Sequence, residues 1–353
     1  MTAGRAGRLR AAACLLAATV LILLAAKNCA KPVQRVAVVV APGGDPLRAA
    51  AFANGAEFML SQANGLEMRL FETDGSLPSL RKVGARLAQE QYCGVLTNVG
   101  QAALLADGRE IPVLTTGTPA QAIRTTAGRD DEVAALLSYA GETGMESLAI
   151  LLPDGTAAWG ELLGWLCTHL ESNLYAYTDQ DGGITAALDS IVAQQADGVL
   201  VWGDTTEVPR MISGLRHAGY TGAILGPSFL AGYESLGINA GQATGLRFAA
   251  QYTDPRHNAE VLTRRQQQFI REYTAYFGEE PLFAESYYGA DQALILEQML
   301  RVQREGDPPL GTLLRCGRIE GIVQPYDYSR NPSTGITGMV VYQIQSGHIE
   351  EAR

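Results

Sequence analysis

Residues 264–300 read RRQQQFIREYTAYFGEEPLFAESYYGADQALILEQML. Phe269, Tyr273, Tyr276 and Phe277 recur at helical spacing, which predicts a helix that buries one face. Gly278 and Pro281 then break it, and a second amphipathic helix opens at about Phe283. Taken alone, the segment is two packed helices with a Gly-x-x-Pro joint, which is core chemistry. What it belongs to has to be read from the rest of the chain.

The chain opens with an export signal. Arg5, Arg8 and Arg10 form a basic start, and Ala11 to Ala26 is an uncharged apolar run. That run is shorter than the roughly 20 residues of a spanning helix. Cleavage near Ala26 to Ala30, retention as an N-terminal anchor, and lipidation at Cys29 are the three fates open to it. Residues 1–30 carry four positive charges and no acids, so their removal takes the net charge from −10 to −14. An acidic exported chain has no electrostatic footprint for nucleic acid. Beyond the leader only Cys93, Cys167 and Cys316 remain, widely spaced and without Cys-x-x-Cys, so buried thiols or one disulfide are expected. The remaining length fits two domains of ordinary size.

Short apolar runs alternate with amphipathic stretches. The spacing predicts strands at Arg35–Val40, Met68–Glu72, Gly94–Thr97 and Ile111–Thr115, with helices over Leu47–Ala63 and Leu80–Gln91 and a short helix after Gly100. The pattern restarts with helices over Arg129–Glu142, Trp159–Leu170, Ile184–Gln195 and Val208–His217. Strands are expected between and after them at Ser147–Leu152, Asp197–Trp202, Thr221–Leu225 and Gly245–Gln251. Strands apolar throughout and separated by helices indicate parallel sheets covered on both faces. The expected fold is α/β, with two doubly wound parallel-sheet lobes. The alternating run Met339–Ile344 adds strands near the hinge that joins them.

The sequence lacks a phosphate loop, a Gly-x-Gly-x-x-Gly after the first strand and a Gly-x-Ser-x-Gly elbow. His169, His217, His257 and His348 are scattered, none at metal-ligand spacing. No catalytic residue, metal or cofactor is expected. Ligands of open parallel sheets sit beyond the carboxyl ends of the strands, near helix N-termini. In the first lobe that places Pro42-Gly43-Gly44-Asp45, Thr97-Asn98-Val99-Gly100 and Thr115-Thr116-Gly117-Thr118-Pro119 at one edge. These loops carry hydroxyl and backbone donors without Lys or Arg, which suits a carboxylate or another polar group. Each residue singly is also ordinary turn and N-cap chemistry. In the second lobe the same logic gives Asp154-Gly155-Thr156 leading to Trp159, Trp202-Gly203-Asp204-Thr205, and Pro227-Ser228-Phe229. Trp159 and Trp202 would offer apolar or cation–π contact there, or else belong to the core.

The order Phe-x3-Tyr-x2-Tyr-Phe-Gly-x2-Pro-x2-Ala-x2-Tyr-Tyr-Gly-Ala-Asp in residues 269–291 resembles the leucine/isoleucine/valine-binding protein family, the type I periplasmic solute-binding proteins. Val38 to Gly44 looks like that family's first strand and turn. Ile111-Pro-Val-Leu-Thr-Thr-Gly-Thr-Pro is similar to the stretch that holds a ligand α-carboxylate. The resemblance thereby implies ligand roles for Thr116, Gly117 and Thr118, with Asn98 and Gly100 in the preceding loop, and for Trp159 and Trp202 in aromatic places. Two departures stand out. Ser228 follows Gly226-Pro227, where amino-acid-binding members often carry an acid for the ligand ammonium, and Thr97-Asn98-Val99-Gly100 replaces a serine-rich loop. Asp204 is the nearby acid available as a substitute.

The resemblance implies a discontinuous chain path: residues 35–121 plus about 253–320 in one lobe, and 122–252 plus about 321–353 in the other with the hinge. It implies a monomeric extracytoplasmic protein that captures an amino acid, amide or related carboxylate and delivers it to the permease of an ABC importer. Trp202 fluorescence would then report the ligand. The alternative is a ligand-sensing or protein-interaction module of the same fold, which a retained anchor would favour.

Overall fold

The computed structural model describes residues 33–42, 45–106, 110–117, 122–153, 171–177, 183–251 and 262–352. The leader with Cys29, and the expected helix Trp159–Leu170 with Cys167, lie outside the described residues. Among the described residues no helix is long and apolar enough to cross a membrane, and Cys93 and Cys316 are free thiols.

The first sheet holds β1 (Gln34–Val40), β2 (Leu66–Glu72), β3 (Gly94–Thr97), β4 (Val113–Thr115) and β5 (Ile123–Arg124), in the order β2-β1-β3-β4-β5. Every pairing is parallel. The alternation of side chains explains why its strands are apolar throughout. Val36, Val38 and Val40 enter one core, while Ala37 and Val39 enter another on the opposite face. Helix α1 (Pro46–Gln62) covers the first of these faces and α2 (Leu77–Gln89) the second. The Asp45 carboxylate caps α1 by accepting from the N–H groups of Leu47 and Arg48 at 3.1 and 3.2 Å.

Helix α3 (Arg129–Glu142) opens the second lobe. Its sheet then takes β6 (Ser147–Pro153), β7 (Glu171–Tyr177), β8 (Gly198–Val201), β9 (Ala223–Gly226) and β10 (Leu246–Ala250), all mutually parallel where paired. Strand β7 has no counterpart in the sequence reading; ESNLYAY is a polar run at the edge of the sheet, where continuous apolar character is not needed. The same alternation recurs in β6 and β8. Ala149, Leu151, Val199 and Val201 face one core, with α4 (Gly183–Gln194) and α5 (Glu207–His217) over it. Leu148, Ile150, Leu152 and Leu200 face the other, beneath α3. A short helix α6 (Ala240–Ala243) precedes β10.

The chain then returns to the first lobe as α7 (Arg264–Phe277), α8 (Ala284–Val302) and α9 (Pro309–Arg315). Helix α7 begins at a reciprocal cap: Gln266 N–H donates to Thr263 Oγ1, and Thr263 N–H donates to Gln266 Oε1. It ends at Gly278, whose φ of 80° is the left-handed conformation that glycine adopts without strain. Phe269 and Tyr273 are buried against Phe58 of α1 at ring-centroid distances of 5.6 and 5.8 Å, whereas Tyr276 stays half exposed. Helices α8 and α1 cross in close contact. A Cβ on Gly55 would sit 1.8 Å from the Ser286 carbonyl oxygen, and one on Gly289 would sit 2.1 Å from that of Phe52.

A hairpin of β11 (Arg318–Glu320) and β12 (Pro325–Asp327) follows. The chain then crosses back, and β13 (Val340–Gln345) and β14 (His348–Glu351) add antiparallel to β10, giving the order β14-β13-β10-β9-β8-β6-β7. Ile319, Tyr326 and Tyr328 pack in the core of the first sheet, and β5 belongs to that sheet, so the first lobe's contacts run past residues 121 and 320.

Three passages therefore link the lobes, and Gln251, at the start of the second, ties the first passage to Tyr326 of β12. Its Oε1 accepts from the Ala127 N–H at 2.9 Å, and its Nε2 donates to the Thr125 carbonyl at 3.4 Å and to the Tyr326 hydroxyl at 3.1 Å. The Tyr326 hydroxyl donates in turn to the Asp291 carboxylate of α8 at 2.8 Å. Asp291 also accepts from the backbone N–H groups of Ile322 and Val323. Gln292 completes the knot by pairing with both backbone groups of Thr97 and donating to Thr125 Oγ1.

Candidate ligand-binding site

The loops after β3 and β4 meet at the carboxyl edge of the first sheet. Thr97 Oγ1 donates to the Val39 carbonyl and accepts from the Val99 N–H, which folds the loop back on itself. Asn98 Oδ1 accepts from the Ala41 N–H at 3.2 Å. Gly117 N–H donates to Thr115 Oγ1 at 2.9 Å, and a Cβ on Gly117 would lie 2.3 Å from Gly100 Cα. Only glycine lets the two loops touch this closely. Asn98 and Thr116 line a recess of about 320 Å³ with Asp45, Arg48, Glu285 and Tyr288.

That recess shares Arg48, Thr126, Glu285 and Tyr288 with a larger cavity of about 730 Å³. Arg48, Phe283, Glu285 and Tyr288 border it from the first lobe, and Glu132, Ser228 and Phe229 from the second. Gln251 and Thr126 of the hinge form its floor. Helix α8 enters the cavity by its first turns, which carry Glu285 and Tyr288. Arg48 donates to Glu285 at 3.0 Å and pairs with Asp45 at 3.2 Å. Burial pushes the Tyr288 hydroxyl above its ordinary range, with the charges of Glu285 and Glu132 adding to the effect.

On the second lobe, Ser228 donates to Glu132 twice, through its N–H at 2.9 Å and its hydroxyl at 2.8 Å. Glu132 lies in the first turn of α3, where the helix dipole favours an acid. Burial raises its carboxyl above the ordinary value, opposed by the two Ser228 bonds and by the Arg124 guanidinium.

The structure redistributes several expectations. Trp202, for which cleft wall and core were both open, is 8% exposed and sits in the core beneath α3 with Leu136, Leu148 and Leu200. It extends the alternation of β8, whose even-numbered side chains point to that face, and it does not border the cavity. Asp204, the substitute acid, is exposed and caps the start of α5. Its Oδ1 accepts from the N–H groups of Thr206 and Glu207 at 2.7 and 2.8 Å. Thr118 and Trp159 lie outside the described residues. Asn98, Gly100, Thr116 and Gly117 come together, and Ser228 lines the larger cavity from the second lobe. Glu132, Arg48, Glu285, Tyr288 and Gln251 were not anticipated. Glu132 is the third acid of Asp130-Asp131-Glu132, a run that reads from sequence only as dipole complement. Among the described residues no group of three His, Cys, Asp or Glu side chains is placed to hold a metal.

The sequence profile of the periplasmic binding protein family matches residues 99–348. The chain belongs to the periplasmic binding protein family. Its fold is shared with ABC transporter substrate-binding proteins. The branched-chain amino acid transporter substrate-binding protein LivJ of Streptococcus pneumoniae, solved with isoleucine, superposes with a TM-score of 0.65 at 13% identity, over 91% of this chain and 98% of that one. An extracellular ligand-binding receptor of Verminephrobacter eiseniae gives a TM-score of 0.69 at 22% identity, over 90% and 99%. A solute-binding protein of an ABC transporter from R. palustris, in complex with benzoate, gives 0.61 at 13% identity, over 91% and 95%. Comparison with the curated proteins gave no match. Within this periplasmic binding protein the two-lobed cleft is thus the place to look for a ligand.

Proposed function

We propose that the protein is the extracytoplasmic solute-binding component of an ABC importer. It captures a small polar organic molecule, an amino acid, amide or related carboxylate, between its lobes and presents the closed form to the permease. The observation that carries this reading is the cavity of about 730 Å³ bordered by both lobes and floored by the hinge. That size suits a small metabolite, and a ligand that touches both walls favours closure by its differential affinity for the closed state. Asn98, Gly100, Thr116 and Gly117 would meet one end of it, and Ser228 with Glu132 the other. Residues up to Arg124 together with α7–α9 and the β11–β12 hairpin would move as one lobe, and α3 to β10 with β13–β14 as the second. It assigns the cleft no chemical step.

A thermal-shift screen of the mature protein with amino acids, amides, ureas and aromatic acids tests it. A ligand at about 100 times its Kd adds about 2.7 kcal/mol, enough to raise the Tm by several degrees. A folded protein that no member of the panel stabilises would sink the reading.

A further inference from the structure

The Asp291 carboxylate lies at the end of a hydrogen-bond chain that reaches the hinge. It accepts from the backbone N–H groups of Ile322 and Val323 and from the Tyr326 hydroxyl. The Tyr326 oxygen accepts in turn from Gln251 Nε2 at 3.1 Å, and Gln251 Oε1 accepts from the Ala127 N–H at 2.9 Å. Three side chains thus join α8 of the first lobe to the second passage and the second passage to the first. Asp291 and Tyr326 are fully buried. The polarity of the chain is fixed at both ends. A backbone N–H at Ala127 can only donate, so the Gln251 amide presents oxygen there and nitrogen to Tyr326. The Tyr326 hydrogen then points to Asp291, which suits an ionised carboxylate, an acceptor on both oxygens. A proton on Asp291 breaks that order. The N–H groups of Ile322 and Val323 cannot receive it, and a Cβ on Gly321 would lie 2.9 Å from Oδ2, so that side is close against backbone. Among the groups bonded to Asp291 the Tyr326 oxygen alone can accept. Once that oxygen accepts from Asp291 as well as from Gln251, the phenol hydrogen has lost its acceptor. Turning the Gln251 amide around would serve Tyr326 and set two donors face to face at Ala127. One of the two bonds of Gln251 has to go.

We infer that Asp291 is a proton-operated lock on the hinge: ionised, it holds Gln251 on the first passage through Tyr326, and protonated, it releases that tie and lets the lobes separate more widely. The inference rests on the two-lobe hinge of the reading above and asks nothing of the ligand. Burial lifts the Asp291 carboxyl to about 6, against the bonds from Ile322, Tyr326 and Val323 and the charge of Arg265. The groups that face Asp291 are Arg265 of α7, Tyr326 of β12 with Tyr328 just beyond it, and Tyr288 of its own helix. Burial raises all three phenols above their ordinary range, so none of them ionises where Asp291 titrates. The locked hinge admits the proton only by giving up a bond of Gln251, and the released hinge has already given it up. The released form therefore binds the proton more tightly, and it gains population as the pH falls through about 6.

Amide hydrogen exchange of the ligand-free mature protein reads the lock at the Ala127 N–H. It is followed by NMR between about pH 7.5 and pH 5 and corrected for the intrinsic exchange rate. The expected result is a protection factor that falls about tenfold, the worth of one hydrogen bond, as the pH drops through the carboxyl's value. The amide of Val38, in a strand paired on both sides, should keep its protection throughout. The radius of gyration from small-angle scattering should rise over the same window. Tyr326→Phe interrupts the chain and should abolish both pH steps. Asp291→Asn, which cannot ionise and carries a donor as the protonated acid does, should show the low protection at every pH. Should Asp291→Asn fail to fold by circular dichroism, Tyr326→Phe carries the test. A flat profile at Ala127 in the native protein would overturn the inference. A step that survives in Tyr326→Phe would assign the proton to another group and overturn it too. So would an amide step without a rise in the radius of gyration, because the network would then titrate without moving the lobes. Neither measurement uses a ligand, so a failed thermal-shift screen would remove the solute-binding reading and leave this inference standing.

Discussion

Asp291 shows how much one side chain of the opening segment carries. From sequence it is the last letter of Tyr-Tyr-Gly-Ala-Asp on a buried helix, an unlikely place for a carboxylate without partners. The structure supplies three donors, the N–H groups of Ile322 and Val323 and the hydroxyl of Tyr326. Complete burial nevertheless outweighs them and lifts the carboxyl from 3.8 to about 6. A folded value above the unfolded one means that its contribution is fully present below pH 3.8 and is lost as the pH rises through about 6. Two units correspond to about 3 kcal/mol. Urea denaturation at pH 4.5, 6 and 7.5 should therefore show the native protein losing stability relative to Asp291→Asn as the pH rises. Parallel profiles would refute the assignment. Asp291→Ala, which leaves three buried donors unpaired, should cost about 3 kcal/mol or more at every pH.

At the scale of elements, the α1–α8 crossing is the tightest joint in the first lobe. The Gly55 and Gly289 positions leave no room for a methyl group, because the obstructing atoms are backbone carbonyls that cannot rotate away. Gly55→Ala should cost more than about 3 kcal/mol by thermal or urea unfolding, since two packed helices must separate to admit it. Gly141→Ala is the control. It lies near the end of α3 with nothing within 4 Å of a new Cβ, so it should stabilise by about 0.5–1 kcal/mol through helix propensity. Equal effects at the two sites would mean that the crossing is looser than described. The helix pair α7–α8 was readable because 3.6-residue spacing, a Gly in left-handed conformation and a Pro are local signals. Edge strand β7 was not, since edge strands need no continuous apolar face.

Across the whole molecule, Gln251, on the second passage between the lobes, bonds to the first passage and to Tyr326 of the first lobe beside the cleft. Gln251→Ala frees the Ala127 N–H and removes the bond to Tyr326. It should lower stability by about 1–2 kcal/mol while leaving both sheets intact. Because the hinge sets the cost of closure, the same variant should also change ligand affinity and the compaction seen by small-angle scattering when ligand is added. An unaltered scattering change and an unaltered Kd would show that the knot is structural only.

Local physics, and so the order of residues along the chain, controls the elements themselves. Apolar runs such as Arg35-Val-Ala-Val-Val-Val40 can only be strands buried on both faces, and their alternation with amphipathic helices makes the sheets parallel. The loops that follow them, Thr97 to Gly100 and Thr115 to Gly117, were placed at one edge on the same ground. What the tertiary structure alone decided is which side chains face the cleft. Trp202 and Asp204 looked suited to a ligand by residue type, yet strand alternation sends one into the core and helix capping engages the other. Glu132 and Glu285 looked like ordinary helix-start acids, yet the crossings at 125–128 and 251 bring their helices to opposite walls of one cavity. Periodicity is encoded within a few residues of chain. The meeting of residues 48, 132, 228 and 285 depends on how two separate sheets are joined, and no local pattern carries that information.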